Sequence, residues 1–194
     1  QRQEGRLSGV TVCIDAGHQE NGRFVNEPIG PGLSGSTSGK GGMAQGTKTN
    51  RRESIVCLEI GMLLRDELLR QGANVIMTRE DQTTFHTNIE RCEIAEAGGA
   101  QIMLRLHCNN SSNHSKRGIQ VYGPLNSDYA KAVADADTYR EMGQKLLDAM
   151  KTRVGMTLAN STGMVRLNDN YVGNNWAKMM CFLVEMGYLS NPAE

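Results

Sequence analysis

Short β-rich apolar runs alternate with longer segments of helical period along this chain, and three of those runs break off at a residue able to bind a metal or move a proton. Val10 to Ile14 feeds the turn Asp15-Ala16-Gly17-His18, Ile102 to Leu106 stops at His107, and Met179 to Val184 stops at Glu185. Strand and helix signals in this alternation predict an α/β class: a single domain whose mostly parallel central sheet is flanked by helices on both faces. Such sheets bind ligands just beyond the carboxyl ends of their strands. His18, His107 and Glu185 are therefore expected along one edge.

The intervening segments fit this plan. Thr49-Asn50-Arg51-Arg52-Glu53 opens a helix to about Gln71, with Asn50 as its cap, Val56, Ile60, Leu63, Leu64 and Leu68 on one face, and Gly72 as a stop. Val75 to Met77 reads as a buried strand. Thr87-x-x-Glu90 has the form of a capping box for a second helix ending at Gly98-Gly99. Ile119 to Tyr122 reads as a further strand, and Ser127 to Lys151 as one or two helices. Glu53 falls on the apolar side of its helix, where it can reach the sheet edge. A glutamate as the third helical residue after an Asn50 cap commonly closes a capping box, and from the helix pattern alone capping is the better reading of Glu53.

Gly30 to Gly46 is dominated by Gly and Ser and reads as a long loop inserted before the first long helix. It is not a phosphate cradle: Gly39-Lys40 is followed by Gly41, and Ser34 stands where a P-loop needs its first glycine. A length of 194 residues suits one domain. Lys+Arg and Asp+Glu balance at 21 each, so nucleic acid is not an expected partner. The apolar runs are too short to span a bilayer. The cysteines, Cys13, Cys57, Cys92, Cys108 and Cys181, are scattered without CxxC spacing and read as buried thiols. The sequence starts at Gln1 with no signal segment visible, so an upstream segment is expected to have been removed.

A lone histidine on a turn is more often a structural hydrogen-bonder than a ligand. Two histidines with one carboxylate are different: that set leaves a fourth tetrahedral zinc position for water, whereas a structural zinc site is closed by four ligands, mostly cysteine. His86 and His114 lie in polar stretches and are expected at the solvated surface. Cys108 is expected to face away from His107. A carboxylate directly after Cys181-Phe182-Leu183-Val184 is expected to be partly buried, and burial without a partner costs on the order of several kcal/mol. Such a Glu185 needs a cation or a task.

With those residues in place, the chain resembles the zinc-dependent N-acetylmuramoyl-L-alanine amidases of the family often called Amidase_3. Val12 to His18 is similar to the family's opening strand and D-x-G-H turn, and Glu53 stands where the family has the glutamate beginning its first long helix. Val75-Ile76-Met77-Thr78-Arg79 resembles the second strand with its Thr-Arg ending. Leu106-His107-Cys108-Asn109 is similar to the strand-terminal His-x-Asn, Gly118 to Tyr122 to the strand after it, and Leu183 to Asn191 to the closing catalytic segment.

The resemblance implies one zinc amidase catalytic domain over residues 1–194, with one Zn²⁺ per chain held by His18, Glu53 and His107, Glu185 as general base, and substrate contacts from Asn109 and Arg105. It implies peptidoglycan as substrate, cut at the amide between N-acetylmuramic acid and L-alanine, in the cell envelope or outside the cell. A monomer with scope for a protein activator is expected. The chain departs from the pattern in Gln19-Glu20 after the first histidine, in Arg105 two positions before His107, in the loop at 30–46, and in lacking the family's terminal helix after Glu194. Two other readings stay open: a catalytically latent or partner-regulated wall-binding protein, motivated by Arg105 near the metal, and a zinc peptidase cutting within the stem peptide.

Overall fold

The computed structural model describes residues 5–20, 25–37, 42–154 and 163–194. In chain order these form β1 (Thr11–Ala16), β2 (Glu27–Pro28), β3 (Ser36–Thr37), α1 (Glu53–Arg70), β4 (Asn74–Met77), α2 (Asn88–Ala97), β5 (Ile102–Asn109), β6 (Gln120–Gly123), α3 (Asp128–Val133), α4 (Ala136–Val154), β7 (Arg166–Leu167), α5 (Val172–Trp176) and β8 (Met180–Tyr188). Six strands make one sheet in the order β4-β1-β5-β8-β6-β7. The first four run parallel, β6 is antiparallel to β8, and β7 is parallel to β6. The expected mostly parallel sheet is present, with one reversal of direction beside β8.

Parallel strands covered on both faces must be apolar nearly throughout, and in β1 every residue from Val12 to Ala16 is buried. On one face α1 and α4 supply Cys57, Tyr139 and Leu147 to a core with Ile14, Leu106, Phe182 and Val184. On the other, α2 and the end of α5 bring Cys92, Ala95 and Ala177 against Cys13, Met103 and Cys181. All five cysteines are free and buried, as their apolar settings predict. No helix among the described residues is long and apolar enough to cross a membrane.

Three local expectations change. Helix α1 begins at Glu53, after Arg52, with no side-chain cap. Asn50 sits instead at φ +55°, in a turn closed by the Gly46 N–H donating to the Arg51 carbonyl at 2.9 Å. The inward face of α1 matches the stripe read off the sequence only in part: Val56, Leu64 and Leu68 pack against the core, but Ile60 and Leu63 do not. Cys57 and Gly61 are buried, whereas Leu63 is 71 % exposed. Small residues win because they let the helix approach the sheet closely: a Cβ on Gly61 would lie 3.4 Å from Ile14 and 3.7 Å from Ala16. Finally, β5 and β8 run past His107 and Glu185, which lie inside the last turns of their strands rather than after them.

The Thr87–Glu90 capping box forms as expected, and the segment from Ser127 becomes two helices. The two-residue strands β2, β3 and β7 and the single turn of α5 leave no periodic signal. The Gly-rich loop supplies β3, which pairs with β2 just before the loop; residues 38–41 of it, including the Gly39-Lys40 dipeptide, lie outside the described residues.

Candidate metal centre

Glu53 is the hub of the site. As the first residue of α1 it is only 2 % exposed, yet it is ionised, because each carboxylate oxygen accepts from both a backbone donor and faces a histidine. Oε1 accepts the Cys108 N–H at 2.9 Å and lies 3.0 Å from Nδ1 of His107. Oε2 accepts the Ala44 N–H at 2.7 Å and lies 3.2 Å from Nε2 of His18. Burial alone would raise its pKa, but the hydrogen bonds and charges of His107 and His18 outweigh that and hold it well below the usual carboxylate range. The capping reading of Glu53 is therefore not what the structure contains: its carboxylate reaches across to β5 and to the loop before α1.

His18 adopts φ +56°, a left-handed conformation uncommon for a residue with a side chain. The preceding Gly17 is required by space. A Cβ there would lie 2.5 Å from the Leu106 carbonyl oxygen and 2.5 Å from Cε1 of His107. The Gly17 N–H donates to that same Leu106 carbonyl at 2.9 Å, pinning the turn to β5. The two imidazoles thus meet edge to face with centroids 4.9 Å apart.

His107 and Glu185 are register partners on β5 and β8, and Gln120 of β6 is Glu185's partner on its other side. Glu185 is half-buried with Oε2 shielded from solvent and unpartnered. Burial, reinforced by the Glu53 charge, pushes its pKa up to about 8. Burial likewise lowers the pKa of His107, against the pull of Glu53, favouring the neutral ring a metal ligand needs. Nε2 of His107 is also buried without a partner. The ligand atoms of His18, Glu53 and His107 lie within 4.8 Å of one another, the one such group among the described residues. Two imidazoles converging on one carboxylate, with orphaned polar atoms beside them, suit a divalent cation.

These residues line a cleft of about 780 Å³. Asn109 sits in its wall, half-buried, donating to Gln120 at 3.2 Å. Arg105 borders the cleft from below but is only 4 % exposed. Its Nε donates to Asp15 at 2.9 Å and an NH2 group donates to Asn88 at 2.7 Å. His86 is half-buried in the cleft wall rather than on the open surface, while His114 is exposed as expected. Cys108 packs into the α1–α4 core, turned away from His107.

The sequence reading did not single out the donors of Ala44 and Cys108, nor the buried Arg91 under the site. Arg91, 4 % exposed on α2, donates to Asp15 at 2.5 Å and to the His18 carbonyl at 3.1 Å. A signal existed: Arg91 shares the buried face of α2 with Cys92 and Ala95. Backbone donors carry no such signal.

Comparison with known proteins agrees with this geometry. The family model for N-acetylmuramoyl-L-alanine amidase, Amidase_3, matches residues 12–194. A germination-specific N-acetylmuramoyl-L-alanine amidase of Bacillus subtilis is 26 % identical over 202 residues, covering 97 % of this chain and 70 % of that protein. A probable cell wall amidase, LytH, of Staphylococcus aureus is 27 % identical over 197 residues, covering all of this chain but 53 % of that protein. Among solved structures, the amidase Ami1 of Mycobacterium abscessus superposes with a TM-score of 0.82 at 20 % identity, covering 96 % of this chain and 87 % of that one. The CwlD amidase of Clostridioides difficile, solved in complex with the GerS lipoprotein, gives 0.70 at 20 % identity, covering 95 % and 85 %. Carrying the family's pattern over nearly its whole length, the chain belongs to the Amidase_3 family of N-acetylmuramoyl-L-alanine amidases.

Proposed function

We propose that this chain is a zinc-dependent peptidoglycan amidase that cleaves the bond between N-acetylmuramic acid and L-alanine of the stem peptide. The observation that carries the reading is the His18-Glu53-His107 set with Glu185 beside it in one open cleft. His18, Glu53 and His107 hold the ion. A zinc ion bound there supplies an acidified water and a Lewis acid for the scissile carbonyl.

Glu185 does the proton work. Burial and the Glu53 charge raise its pKa to about 8, which makes its carboxylate form a stronger base than an exposed one. It accepts the proton of the attacking water and returns it to the leaving amide nitrogen. The orphaned Oε2 is the atom free to do so. Asn109 and the cleft wall of Asn110, Asn170 and Tyr171 offer polar groups to the glycan and stem. Arg105, bonded to Asp15, is assigned to support of the site from beneath rather than to substrate.

The names of the relatives support work at the cell wall, hence a place in the envelope or outside the cell, and the CwlD–GerS complex supports a catalytic domain open to a protein partner; a monomer belongs to the same proposal. The domain reading over 1–194 stands with this proposal. The latent reading loses much of its motive, since the Arg105 guanidinium is bonded to Asp15 and Asn88 instead of facing the ligands unpaired. Mass spectrometry of digested peptidoglycan, with zinc and with a chelator, tests the proposal. Intact stems released from intact glycan support it. Alanine left on muramic acid would show the stem-cutting peptidase, and no release by zinc-loaded protein would restore the latent reading.

A further inference from the structure

The three ligands form a triangle, and two of its edges have visible ties. The Gly17 N–H to Leu106 carbonyl bond at 2.9 Å joins the His18 turn to the His107 strand. The Cys108 N–H to Glu53 bond at 2.9 Å joins that strand to α1. The third edge, between the His18 turn and the start of α1, has no direct backbone bond among the described residues. Side chains bridge it: Gln82 donates to the Ser54 carbonyl at 3.0 Å while its own backbone carbonyl accepts the Glu20 N–H at 3.1 Å, Arg52 pairs with Glu20 at 3.0 Å at the exposed rim, and the buried Arg79 reaches the residues next to both ligands.

Arg79 follows β4 and is 3 % exposed. Its Nε donates to the Ala16 carbonyl at 2.8 Å, and one NH2 group donates both to the Gly17 carbonyl at 2.9 Å and to the Ser54 carbonyl at 2.7 Å. The other NH2 group donates to the Asp81 carbonyl at 2.9 Å. Gly17 immediately precedes His18, and Ser54 immediately follows Glu53. Among the described residues Arg79 makes no carboxylate bond; Asp15 bonds Arg91 and Arg105 instead. Burial and the nearby Arg91 charge pull its pKa down to about 10, so the guanidinium stays charged although the site gives it only carbonyls. Burying a cation on carbonyls alone is a poor way to stabilise a fold. It is a good way to hold several carbonyls at fixed separations, because the guanidinium is planar and its donors point in fixed directions. The left-handed backbone of His18 adds a reason for such a hold.

We propose that Arg79 is a positioning residue for the metal centre: it ties the backbone beside His18 to the backbone beside Glu53 and so sets the spacing between two of the three ligands. The proposal rests on the metal reading given above. It touches neither metal nor substrate, so its effect passes through ligand geometry.

The test is Arg79→Lys, which keeps the charge but replaces the fork by a single nitrogen. Zinc affinity is measured by competition with a chromophoric chelator, ligand geometry by the visible spectrum of the cobalt-loaded protein, and stability by thermal melting. Leu147→Ala serves as control, because Leu147 is fully buried on α4, which packs on β6 and β7 away from the ligands. Arg79→Lys is expected to weaken zinc binding on the order of 10–100-fold, as loss of support around metal ligands does, and to shift the cobalt spectrum. Leu147→Ala should lower the melting temperature and change neither. Wild-type affinity and spectrum in Arg79→Lys would overturn the proposal, as would a loss no larger than the control's. If Arg79→Lys does not melt cooperatively, Arg79→Gln takes its place with the same readouts; failure of both to fold also overturns it, making Arg79 a requirement of the fold. Failure of the wild type to bind zinc would instead overturn the metal reading.

Discussion

His107 and Glu185 stand opposite each other on adjacent parallel strands, and each carries a buried polar atom without a partner, Nε2 on the ring and Oε2 on the carboxylate. Buried polar atoms left unpaired are uncommon and costly. Two facing one cleft mark the place where something else binds.

Replacing Glu185 by Gln keeps the shape and removes the base. Zinc content, read by metal analysis, should match the wild type, while release of stem peptides should fall by about 10²–10⁴-fold, the usual worth of a positioned general base. Wild-type turnover at equal metal content would remove Glu185 from the mechanism.

The metal-free protein should lose stability as pH rises. Glu185 binds its proton more tightly folded, near pKa 8, than at its ordinary value of 4.5. Its contribution is therefore fully present below pH 4.5, declines as the unfolded chain alone loses the proton, and is gone above about pH 8. His107, shifted downward, acts in the opposite direction below its ordinary value of 6.5. Thermal melts of wild type and Glu185→Gln across this range isolate the carboxyl: the difference in melting temperature should move in favour of the Gln variant as pH rises. A constant difference would contradict the raised pKa.

Zinc should stabilise the fold through Glu53. At a free concentration a thousand times the dissociation constant, binding to the native state alone adds about 4 kcal/mol. Differential scanning calorimetry should show a clear upward shift on adding zinc to the wild type and none for Glu53→Ala. That variant should also melt lower without metal, since the Ala44 and Cys108 N–H donors lose their acceptor at about 1–3 kcal/mol each.

Gly17→Ala should damage the metal centre without replacing any ligand residue. The added methyl collides with the Leu106 carbonyl and the His107 ring, and relief by displacing the turn moves His18. A zinc titration should show weakened binding with a folded circular dichroism spectrum retained; unchanged affinity would mean the turn yields freely.

Arg105→Ala should cost stability before substrate affinity. It leaves Asp15 bonded to Arg91 and Thr78 but strips one cation from a fully buried carboxylate, a change worth roughly 3–5 kcal/mol. A chemical denaturation curve measures it. A variant of full stability that loses only affinity for peptidoglycan fragments would return Arg105 to the substrate.

Much of the frame was legible because parallel strands and their following helices write their burial into residue period. The β1 run, the Thr87–Glu90 cap and the strand-end histidine and glutamate could be placed from the pattern alone. Helix α1 shows where that reading fails. Its largest apolar side chains suggest an inward face through Leu63, but the sheet accepts Cys57 and Gly61, because close approach to β1 decides the rotation and side-chain size alone does not. Asn50 looked like a cap and instead occupies a left-handed turn.

By itself the sequence determined the α/β alternation, the edge on which His18, His107 and Glu185 fall, and, through its likeness to the amidases, the company Glu53 keeps. Only the tertiary structure decided that Glu53 serves both histidines instead of its own helix, that Arg105 belongs to Asp15, and that Arg79 spans two ligand-bearing segments. The reason is physical. Periodicity records which face of an element is buried, whereas the partners of the Glu53 carboxylate depend on backbone donors brought to it from residues 44 and 108, whose N–H groups look alike in every sequence.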